Sequence, residues 1–170
     1  DYKREHIITV FLWECSSLPR VRSCKEKMRG LFNIGNDSVH INDLHAETVA
    51  YAQMFFNSNS IHFLNNALSR DFIKFNSFIP EYKKWIEKNG INPECLCIDT
   101  SAVLAAYGLR DCNDIDFIHH GYDNCIDTKS FPNLGSHNTE LRYHTKAKDD
   151  IIFNPQNHFY FKGLKFASLH

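Results

Sequence analysis

The sequence predicts an α/β (α+β) chain in two parts: a small α/β unit over residues 1–66 and a second unit over residues 67–170. Three observations predict it. Short apolar, β-branched runs alternate with segments whose apolar residues recur every three or four positions. Gly, Asn and Pro punctuate those segments, as at Asn89-Gly90 and Lys162-Gly163. Hydrophobic residues make up 43% of the 170, enough to bury a core without help from disulfides.

The elements follow in order. Ile7–Trp13 is continuously apolar and reads as a buried strand. Pro19 and the basic, polar stretch to Arg29 read as a loop and a short helix ending near Gly30. Ser38–Ile41 is a second short strand. Asn42 or Asp43 then caps a helix whose apolar face is Leu44, Val49, Ala52 and Phe55/Phe56. Asn57–Ser60 breaks it, and Ile61–Leu64 is a third strand. A helical region runs from about Ser69 to Lys88, with Phe72, Phe75, Phe78, Tyr82, Trp85 and Ile86 on its apolar face. Pro80 implies a break or a fresh start there, and Gly90 ends it. The remainder reads as strand Cys95–Ile98, helix Ser101–Tyr107 and strands Asp114–His119, Glu140–His144, Ile151–Phe153, Phe159–Phe161 and Leu164–Ser168.

Composition narrows the function classes. The formal net charge is −1, so no basic excess advertises a duplex nucleic-acid partner. Six cysteines in a chain this long are not a disulfide scaffold, and reduced thiols in a cytoplasmic protein are expected. Ile7–Trp13 is too short to span a membrane and lacks a cleavage pattern. Asp1-Tyr2-Lys3-Arg4 and Leu169-His170 read as arbitrary cuts, so a fragment of a longer polypeptide is expected.

The chemistry concentrates in Ile98-Asp99-Thr100-Ser101, the helix that follows, and Asp114-Ile115-Asp116. A strand enters a tight turn, and a helix opens near Ser101, where unpaired N–H groups suit a phosphate. The next strand presents Asp114 and Asp116, which as i and i+2 share a face. Two carboxylates on one face beside a phosphate-binding turn suit a divalent cation on a triphosphate.

These residues resemble the nucleotidyltransferase superfamily, the broad group related to DNA polymerase beta. Its signature is a Gly-Gly/Ser turn, a short helix and an Asp-x-Asp/Glu strand about a dozen residues later. Ser101 and Asp114 have that spacing, Tyr107-Gly108-Leu109-Arg110 is similar to many minimal members, and Phe161–Leu169 looks like the strand before the family's last helix. The resemblance covers residues from about Ile91 onward. It implies a mixed sheet flanked by helices, with Asp114 and Asp116 holding Mg2+ (or Mn2+) and Thr100 and Ser101 at the phosphate of a nucleoside triphosphate or nucleotide-linked donor. It also implies a third carboxylate, for which Asp150 at the start of the Ile151–Phe153 strand is the candidate, and a small-molecule or sugar hydroxyl as acceptor. The turn departs from the family's glycine-rich pattern, since it reads Asp99-Thr100-Ser101. That departure keeps a second possibility open, an inactive module of the same fold that binds a nucleotide or a partner protein.

His40, Asp43, His45 and Glu47 lie within eight residues at a strand-to-helix turn. They suit either a metal-dependent hydrolase site or a capped helix start flanked by histidines. Residues 20–66 also look like segments of bacterial surface-polysaccharide biosynthesis proteins. Cys95 and Cys97 lack zinc spacing and alternate on a strand, and Cys112 and Cys125 complete no zinc pattern. His119-His120 either approach the cleft or lie at the surface. Lys162 and Lys165 either neutralise phosphate or are solvated, and Trp85 with its phenylalanine neighbours reads as core.

Overall fold

The computed structural model describes residues 8–122, 128 and 131–169. The chain divides into two compact units, Asp1–Tyr51 and Ala52–His170.

In the first unit, helix α1 spans Leu18–Phe32, longer than the short helix expected and running straight through Gly30. Ser17 caps it by accepting from the Arg20 N–H, and Pro19 sits in the first turn, where a missing N–H costs nothing. Asn33 closes it in the left-handed region at φ 53°. Two expected strands do not form. Residues 8–13 of the Ile7–Trp13 run carry no regular element, and Phe11 and Leu12 stand exposed; Ile7 lies outside the described residues. Ser38–Ile41 is also irregular. The carbonyls of Val39 and Ile41 accept from Arg29 Nε and Lys25 Nζ of α1, not from a neighbouring strand. A β-branched run makes a strand only where a partner strand exists, and this unit has none among the described residues. Helix α2 spans His45–Phe55, across the division at Tyr51 and Ala52. It begins two residues beyond Asp43, whose carboxylate lies 3.9 Å from Arg22.

In the second unit, Ile61–Leu64 is not a strand but the middle of helix α3, Ser58–Asn66. Asn57 nucleates it by accepting from the Ser60 N–H at 3.0 Å. Ser60 and Phe63 then turn inward at helical spacing. The same two polar residues cover a sheet edge. Asn57 Nδ2 donates to the His158 carbonyl and Ser60 Oγ accepts from the Tyr160 N–H, both at 3.0 Å. These are alternate residues of edge strand β4 (His158–Phe161), whose outer row of backbone groups would otherwise be open.

Helix α4, Ile73–Lys88, continues through Pro80, forgoing one ladder bond at an exposed position. Its buried face is Phe75, Phe78, Ile79, Tyr82, Trp85 and Ile86, of which the periodicity predicts all but Ile79; Phe72, also expected there, precedes the helix and is half-buried. Trp85 is wholly buried, with Tyr82 stacked 5.6 Å away and Phe117 at 5.1 Å. Gly90, at φ 60°, ends the helix.

Strands β1 (Leu96–Ile98), β2 (Ile115–His119), β3 (Leu134–Ser136), β4 and β5 (Leu164–Ala167) form one mixed sheet in the order β3-β2-β1-β5-β4. β1 runs antiparallel to β2 and parallel to β5; β2 runs parallel to β3, and β4 antiparallel to β5. The chain is therefore α/β with a mixed sheet, as the sequence predicts. Helix α5 spans Thr100–Ala106, between β1 and β2. Glu140–His144 is not a strand; it contains a single 3-10 turn, Leu141–Tyr143. Ile151–Phe153 is not a strand either, but the end of helix α6, Lys148–Phe153. β3 carries no β-branched residue and has glycine at its centre, which is why its sequence shows no strand pattern.

Among the described residues no helix is long and apolar enough to cross a membrane. Cys15, Cys24, Cys95, Cys97 and Cys112 are free thiols, and Cys125 lies outside the described residues.

Candidate functional site

The sheet register builds the site. Leu96, Cys97 and Ile98 pair with His119, Ile118 and Phe117. One step further, the Asp99 N–H donates to the Asp116 carbonyl at 3.0 Å, so Asp99 stands opposite Asp116. Directly opposed residues share a face. Asp116 in turn pairs with Gly135 on β3. Asp99, Asp116 and Gly135 thus form one row across three strands. Gly135 matters by what it lacks: a Cβ there would lie 2.8 Å from Asp116 Oδ1. The Asp116 carboxylate occupies the space that the glycine leaves, and His137, two residues on, returns to the same face.

Five side chains then interlock. Thr100 Oγ1 donates to Asp116 Oδ2 at 2.7 Å. His137 Nε2 lies 3.1 Å from Asp116 Oδ1, and its Nδ1 lies 3.4 Å from Asp99 Oδ2. His144 Nε2 lies 3.2 Å from the same Asp99 oxygen. Asp99 is wholly buried. Its Oδ1 is 3.3 Å from His137 Nδ1 but has no hydrogen-bond partner among the described residues. Burial pushes the Asp99 carboxyl above its usual range; His137 and His144 pull it back, and Asp116 pushes it further up. Asp114, in the bend before β2, is also raised, first by partial burial and then by the like charge of Asp116, while His137 opposes the rise. The two aspartates predicted from the Asp-x-Asp pattern are thus close enough to repel.

Thr100 adopts φ 52°, the left-handed region that a β-branched residue rarely enters. This is the position where the turn calls for glycine. The charged hydrogen bond to Asp116 compensates the strain, and the Asp99 carboxylate turns inward to the histidines. Asp99 makes no side-chain cap to α5. Beside the turn an open cavity of about 400 Å3 is lined by Asp99, Thr100, Ser101, Arg110, His144, Lys146, Asn157 and Ser168, with Val103, Leu104 and Ile151 among its apolar walls.

The other expected residues lie elsewhere. Asp150 belongs to the first turn of α6, and its carboxylate accepts from Asn154 Nδ2 at 3.0 Å and Asn157 Nδ2 at 2.9 Å. The carboxylate that shares a face with Asp116 is Asp99. His119 is buried and meets Ser136, whereas His120 pairs with Asp149 at the surface. Lys165 is buried, not solvated: it donates to the carbonyls of Glu94 and Ile152, both at 2.8 Å. In the first unit, His40 lies against the Tyr51 ring and Asp43 beside Arg22. Among the described residues no group of three or more His, Cys, Asp or Glu is disposed to hold a metal ion, so His40, Asp43, His45 and Glu47 form no such centre.

His137 and His144 carry no signal in the sequence, since a three-residue strand and a single turn deliver them. Asp99 carries one, its parity with buried Cys97 along β1. The fold and site define a mixed-sheet α/β unit with a carboxylate–histidine cluster at a strand-to-helix turn. No protein-family profile matches the chain, and no curated protein or solved structure matches it.

Proposed function

We propose that the second unit carries a metal-dependent transfer of a nucleotidyl or related phosphate-linked group to a small-molecule or sugar hydroxyl, in a setting such as surface-glycan assembly. The observation behind it is the strand-to-helix turn at Asp99–Thr100, joined by a 2.7 Å hydrogen bond to Asp116 on the neighbouring strand. Asp114 and Asp116 would hold Mg2+ (or Mn2+). The donor set fits a hard divalent ion, because each Asp116 oxygen meets one protein donor and keeps a second lone pair. Burial first and then the like charge of Asp116 raise Asp114, and a cation would relieve that repulsion. When bound, the ion would neutralise phosphate charge and leave its remaining positions to phosphate oxygens and water. Ser101 and the neighbouring backbone N–H groups would take the donor's phosphate, and Thr100 would fix the Asp116 carboxylate. Asp150 has both oxygens held by asparagines, so the metal role rests on Asp114 and Asp116.

The test is calorimetric titration with ATP, CTP, GTP and UTP, with and without Mg2+, on the wild type and on Asp114→Asn. Metal-dependent binding that the variant loses is the expected result. Binding of no nucleotide, or binding indifferent to both the metal and the substitution, would sink the proposal. A second possibility, an inactive nucleotide-binding module, draws on the two protein donors that already engage Asp116. Nucleotide binding without turnover in the presence of acceptor would identify it.

A further inference from the structure

We infer that the cavity between Arg110 and Lys146 is the acceptor site, and that the acceptor is an anionic, hydroxyl-bearing small molecule of the sugar-phosphate class. This rests on the transferase reading of the neighbouring aspartates and adds the substrate class.

Three observations carry it. First, the cavity holds about 400 Å3, within the range of small-molecule sites. Its polar lining includes Ser101, His144 and Thr145 with the cations Arg110 and Lys146, and its single acid is Asp99. Two cations suit phosphate oxygens, Lys146 being held in place by its donation to Asn157 Oδ1 at 2.6 Å. Second, Asp99 is wholly buried, and its Oδ1 has no hydrogen-bond partner among the described residues. An orphaned buried carboxylate oxygen calls for a donor. A sugar hydroxyl supplies one, and so does the P–OH of inorganic phosphate, whereas the phosphoryl dianion of a sugar phosphate supplies none. Inorganic phosphate has one small group to share between the cations and Asp99, and a neutral sugar meets only Asp99. A sugar phosphate satisfies both. Third, the cavity lies beside the aspartate pair without including it. Thr100 lines the cavity and binds Asp116, whereas Asp114 and Asp116 are absent from the lining. An anion can therefore sit between the cations without the divalent ion that phosphates at Asp114 and Asp116 would require, leaving that pair, and the cavity wall at Ser101, to the donor.

The test is calorimetry at low ionic strength with EDTA present. The probes are glucose 6-phosphate and glycerol 3-phosphate, each compared with glucose, inorganic phosphate and metal-free ATP. At least one sugar phosphate is expected to bind tighter than inorganic phosphate, glucose or ATP. Its affinity is expected to fall at least tenfold in Arg110→Gln and in Lys146→Gln, and to be unchanged in Asp114→Asn. Arg110 is exposed, so its variant should keep the fold, which circular dichroism checks. Failure of both sugar phosphates to bind would overturn the inference, as would binding indifferent to both cation substitutions. Inorganic phosphate binding equally well would show a simple anion site, and tighter binding of metal-free ATP would assign the cavity to the donor; either result overturns the acceptor assignment. The experiment is independent of the Mg2+-dependent nucleotide titration, so failure of one leaves the other legible.

Discussion

Gly135→Ala tests the row that builds the site. The glycine's φ lies outside the left-handed region, so alanine meets no backbone penalty there. The added Cβ meets one group only, Asp116 Oδ1 at 2.8 Å, closer than real Cβ contacts come. The carboxylate must swing away and weaken its hydrogen bonds to Thr100 and His137. Hydrogen bonds to a charged group contribute roughly 1.5–3 kcal/mol each when fully buried. The Asp116 side chain keeps 14% exposure, so water recovers part of that, and about 2–3 kcal/mol for the pair is reasonable. Replacing a glycine within a strand returns about 0.5–1 kcal/mol of chain entropy. The net expectation is a loss of about 1–2 kcal/mol. Urea unfolding followed by the fluorescence of buried Trp85, in a Trp13→Phe background, reads it as a lower midpoint at constant slope. The same variant should lose at least tenfold in Mg2+-dependent nucleotide affinity, because the displaced oxygen belongs to the proposed metal ligand. An unchanged midpoint together with unchanged affinity would refute both the packing argument and the place of Asp116 in the site.

Three other outcomes follow from the geometry. Gly108→Ala should cost on the order of 3 kcal/mol, read by thermal melting, because Gly108 has φ 74° and a Cβ would stand 2.1 Å from the Leu68 carbonyl oxygen. Pro80→Ala should raise stability by about 1 kcal/mol, since the exposed position regains the α4 ladder bond; a lower urea midpoint would show that the proline's bend is needed for packing. His158 is buried and held neutral, with its proton affinity pushed down first by burial and further by Lys165, against the opposing Ile151 hydrogen bond and Glu94 charge. Its folded-state pKa therefore lies below the usual 6.5, and the stability present above that pH is lost as pH falls beneath it. His158→Gln should flatten that part of the acid slope of urea midpoints, and an identical slope would remove His158 as its source.

What the sequence made legible is what periodicity and punctuation encode. The α4 face, β1, α5, β2 and the β4–β5 hairpin with its Lys162-Gly163 turn stand within a residue or two of where pattern places them, apart from α4's later start at Ile73. The misread segments are short apolar runs, for which strand and helix look alike. Ile61–Leu64 became helical because Asn57 caps it and the β4 edge needs Asn57 and Ser60. Ile151–Phe153 became helical with Asp149 and Asp150 in the first turn, where acids suit the helix dipole. Pro80 interrupts hydrogen bonding without interrupting α4, because its six buried side chains, on either side of the proline, all pack into the core. At the site, Asp114, Asp116 and Thr100 were legible as a local pattern, whereas His137 and His144 arrive by a tertiary route that no local spacing encodes.

The non-glycine turn is where local pattern and fold disagree most, and the structure makes the disagreement coherent. A threonine at φ 52° and a buried aspartate are each unfavourable alone. Together they couple two strands. Thr100 ties the turn to Asp116, and His137 ties Asp116 back to Asp99 while His144 meets the same Asp99 oxygen. A glycine at 100 would relieve the backbone strain, worth about 1–2 kcal/mol, but would release one of the two restraints on the Asp116 carboxylate. An alanine or glycine at 99 would leave both histidines without their shared acceptor. The residues that depart from the glycine-rich pattern therefore hold the aspartate that follows it. Inward rotation of Asp99 also takes its charge away from the helix start where a phosphate would lie. The strain at Thr100 is offset by Asp116 and the burial of Asp99 by two histidines, and a glycine at 100 with an apolar residue at 99 would relieve both costs; their retention fits the preorganised Asp116 that the proposed metal role requires.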